Sequence, residues 1–183
     1  MKAPIPKGTN LLSLVIIGAA LTLLGISGAW AQQKHQVSIK YPGENTKYTE
    51  QHAIDVGDVP GHQVRIYEIH YTFPKDPPMF EGVRVVESWA HGYSDYIDTN
   101  GRHWGYVTYV LENGDKIFAR SDGSSQTIVN PDGKKSTATG VTTLTGGTGK
   151  VRGIQGTLRY VNIFDPKAGL SDGQSEGTYW IEK

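Results

Sequence analysis

Beyond residue 46, apolar and polar positions alternate along most of the chain. Runs rich in Val, Ile, Thr, Tyr, Phe and Trp recur near every dozen residues, at 52–56, 63–73, 82–94, 102–112, 116–120, 125–129, 136–145, 154–164 and 173–182. No window sustains a helical period, so the pattern predicts an all-β chain. Asn100-Gly101, Asn113-Gly114, Asp122-Gly123, Asp132-Gly133 and Asp172-Gly173 punctuate the runs with residues that tolerate positive φ, as tight hairpins require. Neighbouring runs are therefore expected to pair antiparallel. The sharpest signal is YVLENGDKIFAR, which predicts a two-residue hairpin at Asn113-Gly114. The spacing suits a single antiparallel β-barrel of about eight strands. Two packed sheets would satisfy it as well.

The first 31 residues follow a different rule. Lys2 and Lys7 precede an apolar run over 11–31 that ends in Ala29-Trp30-Ala31, the small-large-small pattern of a cleavage site. Residues 1–31 are expected to be a signal peptide, which makes the mature protein secreted or periplasmic; an uncleaved anchor is the alternative, since about 20 apolar residues can span a bilayer. Residues 32–46 form a polar leader with one short candidate strand at 36–40, and 47–183 form the barrel domain. At about 150 residues a mature domain buries enough surface for one core. The 183-residue chain has no cysteine, so neither disulfides nor lipid attachment to a thiol enters the picture. With 18 Lys+Arg against 18 Asp+Glu, it lacks the basic footprint of a nucleic-acid binder, and after cleavage nothing marks it for a membrane.

Candidate chemistry comes from the two longest runs. In 63–73 the even positions Val64, Ile66, Glu68, His70 and Thr72 share one face, and Arg65, Tyr67, Ile69, Tyr71 and Phe73 share the other. In 82–94 the set Val83, Val85, Glu87, Trp89 and His91 again places an acid among apolar groups. Facing inward, Glu68 and Glu87 would be desolvated carboxyls with raised pKa, suited to proton transfer or to holding a ligand oxygen. Facing outward, they would be ordinary surface acids or partners of Arg84, Arg120 or Arg159. The six histidines form no H-x-H or H-E-x-x-H pattern, and neither a metal nor a cofactor is called for. TGGTGKVRGIQG fails both phosphate-loop templates, because Gly153 comes one place late and Val151 follows Lys150; it reads as a tight connection between strands.

Two segments resemble the allene oxide cyclase and dirigent superfamily of β-barrels. Tyr67-Glu68-Ile69-His70 with Pro77 resembles the first barrel strand of plant allene oxide cyclases, where Tyr-Glu-Ile-Asn precedes a proline nine residues beyond the glutamate. Gly146-Gly147-Thr148-Gly149, with Gly153 and Gly156, resembles the Gly-Gly-x-Gly connection of both cyclases and dirigent proteins. The resemblance implies an eight-stranded barrel with a pocket, in which Glu68, His70 and Pro77 occupy pocket positions. His70 stands where the cyclases have asparagine, and their pocket cysteine has no counterpart. It also implies a homo-oligomer, commonly a trimer.

Two functions follow. One is a non-catalytic module that binds a small hydrophobic ligand or meets a partner in the cell envelope. The other is a cofactor-free isomerase or cyclase, with Glu68 and His70 as catalytic groups and Pro77, Glu87, Trp89, Tyr106 and Phe118 around the ligand. An empty interior of at least about 300 Å³ with Glu68 at its floor would favour a ligand role.

Overall fold

The alternating runs become ten strands: β1 (His35–Tyr41), β2 (Thr46–Asp55), β3 (His62–Thr72), β4 (Met79–Phe80), β5 (Val83–Ile97), β6 (Asn100–Leu111), β7 (Lys116–Asn130), β8 (Gly133–Gly147), β9 (Ile154–Asp165) and β10 (Leu170–Ile181). The computed structural model describes residues 32–131, 133–165 and 170–182. The expected signal peptide lies outside the described residues. The candidate strand at 36–40 is the centre of β1, where Val37 and Ile39 are buried.

The strands form one antiparallel sheet in the order β1-β10-β9-β8-β7-β6-β5-β3-β2, with β4 paired to β5. This corrects the expected barrel of about eight strands in two respects: there are more strands, and the path is open. Its ends, β1 and β2, are consecutive in the chain, yet no ladder joins them among the described residues. Between them Pro42 has no N–H to give a ladder. The 3-10 turn Gly43–Asn45 then carries the chain round a corner, with Asn45 N–H donating to the Pro42 carbonyl at 3.0 Å. The sheet nevertheless curls until its inner faces meet. Tyr41 of β1 packs edge-on against Tyr71 of β3 at 4.9 Å between ring centres, and its hydroxyl lies 3.3 Å from that of Tyr109 in β6.

Some turn signals act elsewhere than expected. The β5–β6 hairpin turns at Asp98 and Thr99, with φ of 49° and 70°, so Asn100-Gly101 begins β6. Four residues, 112–115, join β6 to β7 rather than two: Leu111 N–H donates to the Asp115 carbonyl at 2.9 Å and Gly114 takes φ 83°. The runs at 116–120 and 125–129 are one strand, with Asp122-Gly123 in its middle, and Asp172-Gly173 lies within β10.

The inner face divides into two zones. At one end Val37, Ile39, Phe73, Phe80, Val85, Tyr109, Leu111, Ile117, Leu144, Ile154 and Leu158 form a closed apolar core. The β4–β5 hairpin turns on Glu81 and Gly82, both at positive φ, and its Phe80 packs 5.0 Å from Tyr179 and 6.0 Å from Tyr109. Residues buried this way dominate the favourable free energy of folding, at roughly 25 cal/mol per Å² of apolar surface. The glycine-rich connection between β8 and β9 closes around a carboxylate. Asp115 accepts from Lys150 N–H at 3.0 Å, from Asn113 Nδ2 at 2.8 Å and from Thr148 Oγ1 at 3.3 Å. This is the tight connection that the sequence suggests, occupied by the chain's own acid.

Candidate functional site

Beyond Tyr41 and Tyr109, which belong to both zones, the interior opens into a cavity of about 470 Å³. The register explains its shape. Tyr67, Gly92, Gly105, Ser121 and Thr142 follow one another across five strands, and Arg65, Ser94, His103, Gly123, Gly140 and Tyr160 form the next inner row. Large phenol rings on β3 and β9 thus face glycine and serine on β5 to β8. A Cβ on Gly92 would collide with the Tyr67 ring, and one on Gly123 or Gly140 with the Tyr160 hydroxyl. The tyrosines lie along the wall because the opposite positions carry almost no side chain.

One buried cluster crosses this wall. His103 is buried, with Nδ1 2.8 Å from the Tyr96 hydroxyl and Nε2 2.5 Å from the Tyr160 hydroxyl. Burial holds its pKa below the ordinary imidazole value, so the neutral ring donates through one nitrogen and accepts through the other. Burial also raises the hydroxyls of Tyr41, Tyr67, Tyr71, Tyr96, Tyr109 and Tyr160 above the usual phenol range. The cavity therefore presents un-ionised phenols at neutral pH. Tyr67 and Tyr71 hydroxyls make no hydrogen bond among the described residues, and the Oγ of Ser88, directly across the ladder from Tyr71, is fully buried without a partner.

The structure takes Glu68 and His70 elsewhere. Since Tyr67, Ile69 and Tyr71 point inward, strand alternation turns Glu68 and His70 to the outer face, and neither lines the cavity. Glu68 stands across the ladder from His91, with Oε2 2.9 Å from Nε2, and Oε1 accepts from Thr49 Oγ1 at 2.5 Å. The Thr49 bond, assisted by His91, holds this carboxyl below the usual range. That is the reverse of the raised, desolvated acid expected at this position. Thr49 reaches Glu68 because β2 bulges between Tyr48 and Glu50.

Glu87 and Trp89 also face outward. A bulge between Val85 and Glu87 breaks the alternation, so Val83 and Val85 point to the core while Glu87, Trp89 and His91 point away. On that outer face His70 stacks on Trp89 at 3.9 Å with rings 12° apart, and its Nε2 lies 2.8 Å from Glu87 Oε2. Phe118 lies between the buried Ile117 and Ala119 and is exposed. Pro77 belongs to the segment leading into β4, outside the cavity lining. Tyr106 alone of the expected ligand residues borders the cavity, although its ring is exposed and lies 5.6 Å from the Arg120 guanidinium. The residues that do build the wall, Arg65, Tyr67, Tyr71, Ser88, Tyr96, His103 and Tyr160, carry a readable signal: bulky aromatics at every second position of one run, small residues in its partners.

No protein-family model matches this sequence, and no curated protein sequence matches it. Among solved structures the chain is similar to the pterocarpan synthase dirigent protein GePTS1, at 12% identity with a TM-score of 0.47, covering 87% of this chain and 95% of that one.

Proposed function

We propose that the protein is an exported, non-catalytic module that holds one small ligand inside its curled sheet. Export rests on the sequence of residues 1–31. The observation that supports ligand binding is the cavity of about 470 Å³, within the range of small-molecule sites. Its phenols are un-ionised, the Tyr67 and Tyr71 hydroxyls and Ser88 Oγ have no partner among the described residues, and tyrosine rings supply much of the apolar wall. Such a surface orients a ligand by hydrogen bonds and holds it by contact area.

The cyclase reading finds less support. Its acid, Glu68, lies outside the cavity in a carboxylate pair with His91, and its neighbour His70 is engaged by Glu87 and Trp89.

The test uses the neutral fluorophore N-phenyl-1-naphthylamine, which brightens on leaving water. The full-length protein should give a saturable rise. Ala138→Trp, which fills the cavity from β8, should abolish it while the far-ultraviolet circular dichroism stays that of a β protein. Absence of saturable binding to the wild type, or undiminished binding to a folded A138W, would refute the proposal.

A further inference from the structure

Charge in the cavity is one-sided. Among the described residues that line it, Arg65 is the only Lys or Arg, and there is no Asp or Glu. Arg65 forms no ion pair among the described residues. Its Nε and Nη2 donate to Gln63 Oε1 at 3.2 and 2.6 Å, and the Gln63 amide donates in turn to Asp55 at 2.8 Å. The nearest carboxylate in this chain of bonds is thus reached only through a neutral amide, and Asp55 itself is exposed at the end of β2. A guanidinium carries five N–H donors in a fixed fork, and Gln63 occupies only part of it. The charge reaches into the wall, since it favours ionisation of both the Tyr48 and Tyr96 hydroxyls against the effect of burial.

A half-buried cation without a counter-charge is costly, and an anion beside it offsets that cost. Further unpartnered donors line the same cavity: the Tyr67 and Tyr71 hydroxyls and the fully buried Ser88 Oγ. A cationic ligand would meet Arg65 and find no acid. A neutral apolar ligand would fill the space and leave the guanidinium bonded only to Gln63.

We propose that the cavity takes a small organic acid with a flat apolar body, its carboxylate on the free edge of Arg65 and its body against the faces of Tyr67, Tyr71 and Tyr96. The assignment rests on the cavity being a ligand site, as proposed above, and adds the charge and shape of the ligand.

The experiment compares 2-naphthoate with 2-naphthamide, two molecules of the same shape that differ in charge, by calorimetric titration of the full-length protein. The wild type should bind the acid at least ten times more tightly than the amide. Arg65→Gln should weaken the acid far more than the amide and so remove most of that preference; Arg65→Lys, which keeps the charge but not the fork, should retain part of it. Equal wild-type affinities for the two probes would overturn the anion assignment and leave the ligand site standing. So would a preference that persists in folded R65Q. Failure of both probes to bind the wild type would overturn both. The wild-type comparison decides the matter even if a variant does not fold.

Discussion

Tyr67 packs across Gly92, its partner on the neighbouring strand, so the hydroxyl end of the phenol ring fills the space that any side chain at 92 would take. The pair sets the width of the cavity at this row. Gly92→Ala should cost about 1–3 kcal/mol, the usual range for forcing atoms into a packed site. In a Tyr67→Ala background the same change should cost markedly less. Denaturant unfolding of the four proteins reads the coupling directly, and equal costs in both backgrounds would show that the ring does not rest on the glycine.

The His103 cluster makes a separate prediction. Tyr160→Phe removes a hydroxyl from buried His103 Nε2 and leaves that nitrogen without its partner. An unsatisfied buried polar group costs about 1–3 kcal/mol. Replacing Tyr93, whose ring is exposed on the outer face and stacks on Trp104 at 5.9 Å, by Phe should have little effect on stability. Comparable losses in Y160F and Y93F would remove the special status of the cluster.

At the start of β3, His62 bridges two acids, with Nδ1 2.6 Å from Asp58 and Nε2 2.7 Å from Asp95. Hydrogen bonds that His62 donates to Asp95 first and Asp58 second raise its pKa, while the same contact lowers that of Asp58. A raised imidazole contributes stability that is fully present below its unfolded value, about 6.5, and lost as pH rises through the higher folded value. A lowered carboxyl contributes above about 3.9 and loses its share as pH falls through the folded value. The clamp is therefore at full strength between these limits. The gap in melting temperature between the wild type and His62→Gln should be widest near pH 5 and narrow toward pH 8–9. A gap independent of pH would exclude the ionic bridge.

Gly149 has φ +49°, and a Cβ there would meet the Asp115 carboxylate. Gly149→Ala should lose about 1–2 kcal/mol from the left-handed backbone alone. Asp115→Asn should also lower the melting temperature, because it replaces the carboxylate that gathers Lys150 N–H, Thr148 and Asn113. The loss should shrink as pH falls through the lowered pKa of Asp115, where the wild type surrenders the same charge. Melts across pH 2–7 check both points.

Much of the fold was legible because alternation is dictated by the pleat. Gln63 to Thr72 follows the two-face pattern without a break, and β6, β8 and β9 appear close to their expected positions. The site was harder to read because periodicity says which residues share a face, not which face looks inward. The acid at 68 drew the prediction, yet Arg65, Tyr67 and Tyr71 on the opposite set line the interior. For β5 the difficulty was the bulge after Val85, one extra residue that no local composition announces and that carries Glu87 and Trp89 to the other side. The open path between β1 and β2 was equally hidden, since it follows from a corner at Pro42 and not from any strand.

The separation of the interior into a sealed apolar end and a hydroxyl-lined end lets two kinds of selection act independently. Side chains around Phe80 and Leu158 hold the protein together, whereas the Tyr67 and Tyr71 hydroxyls, which no other described residue uses, can be lost with the scaffold intact. On the ligand-binding reading proposed above, what the cavity accepts can therefore change by substitutions that leave the sealed end untouched.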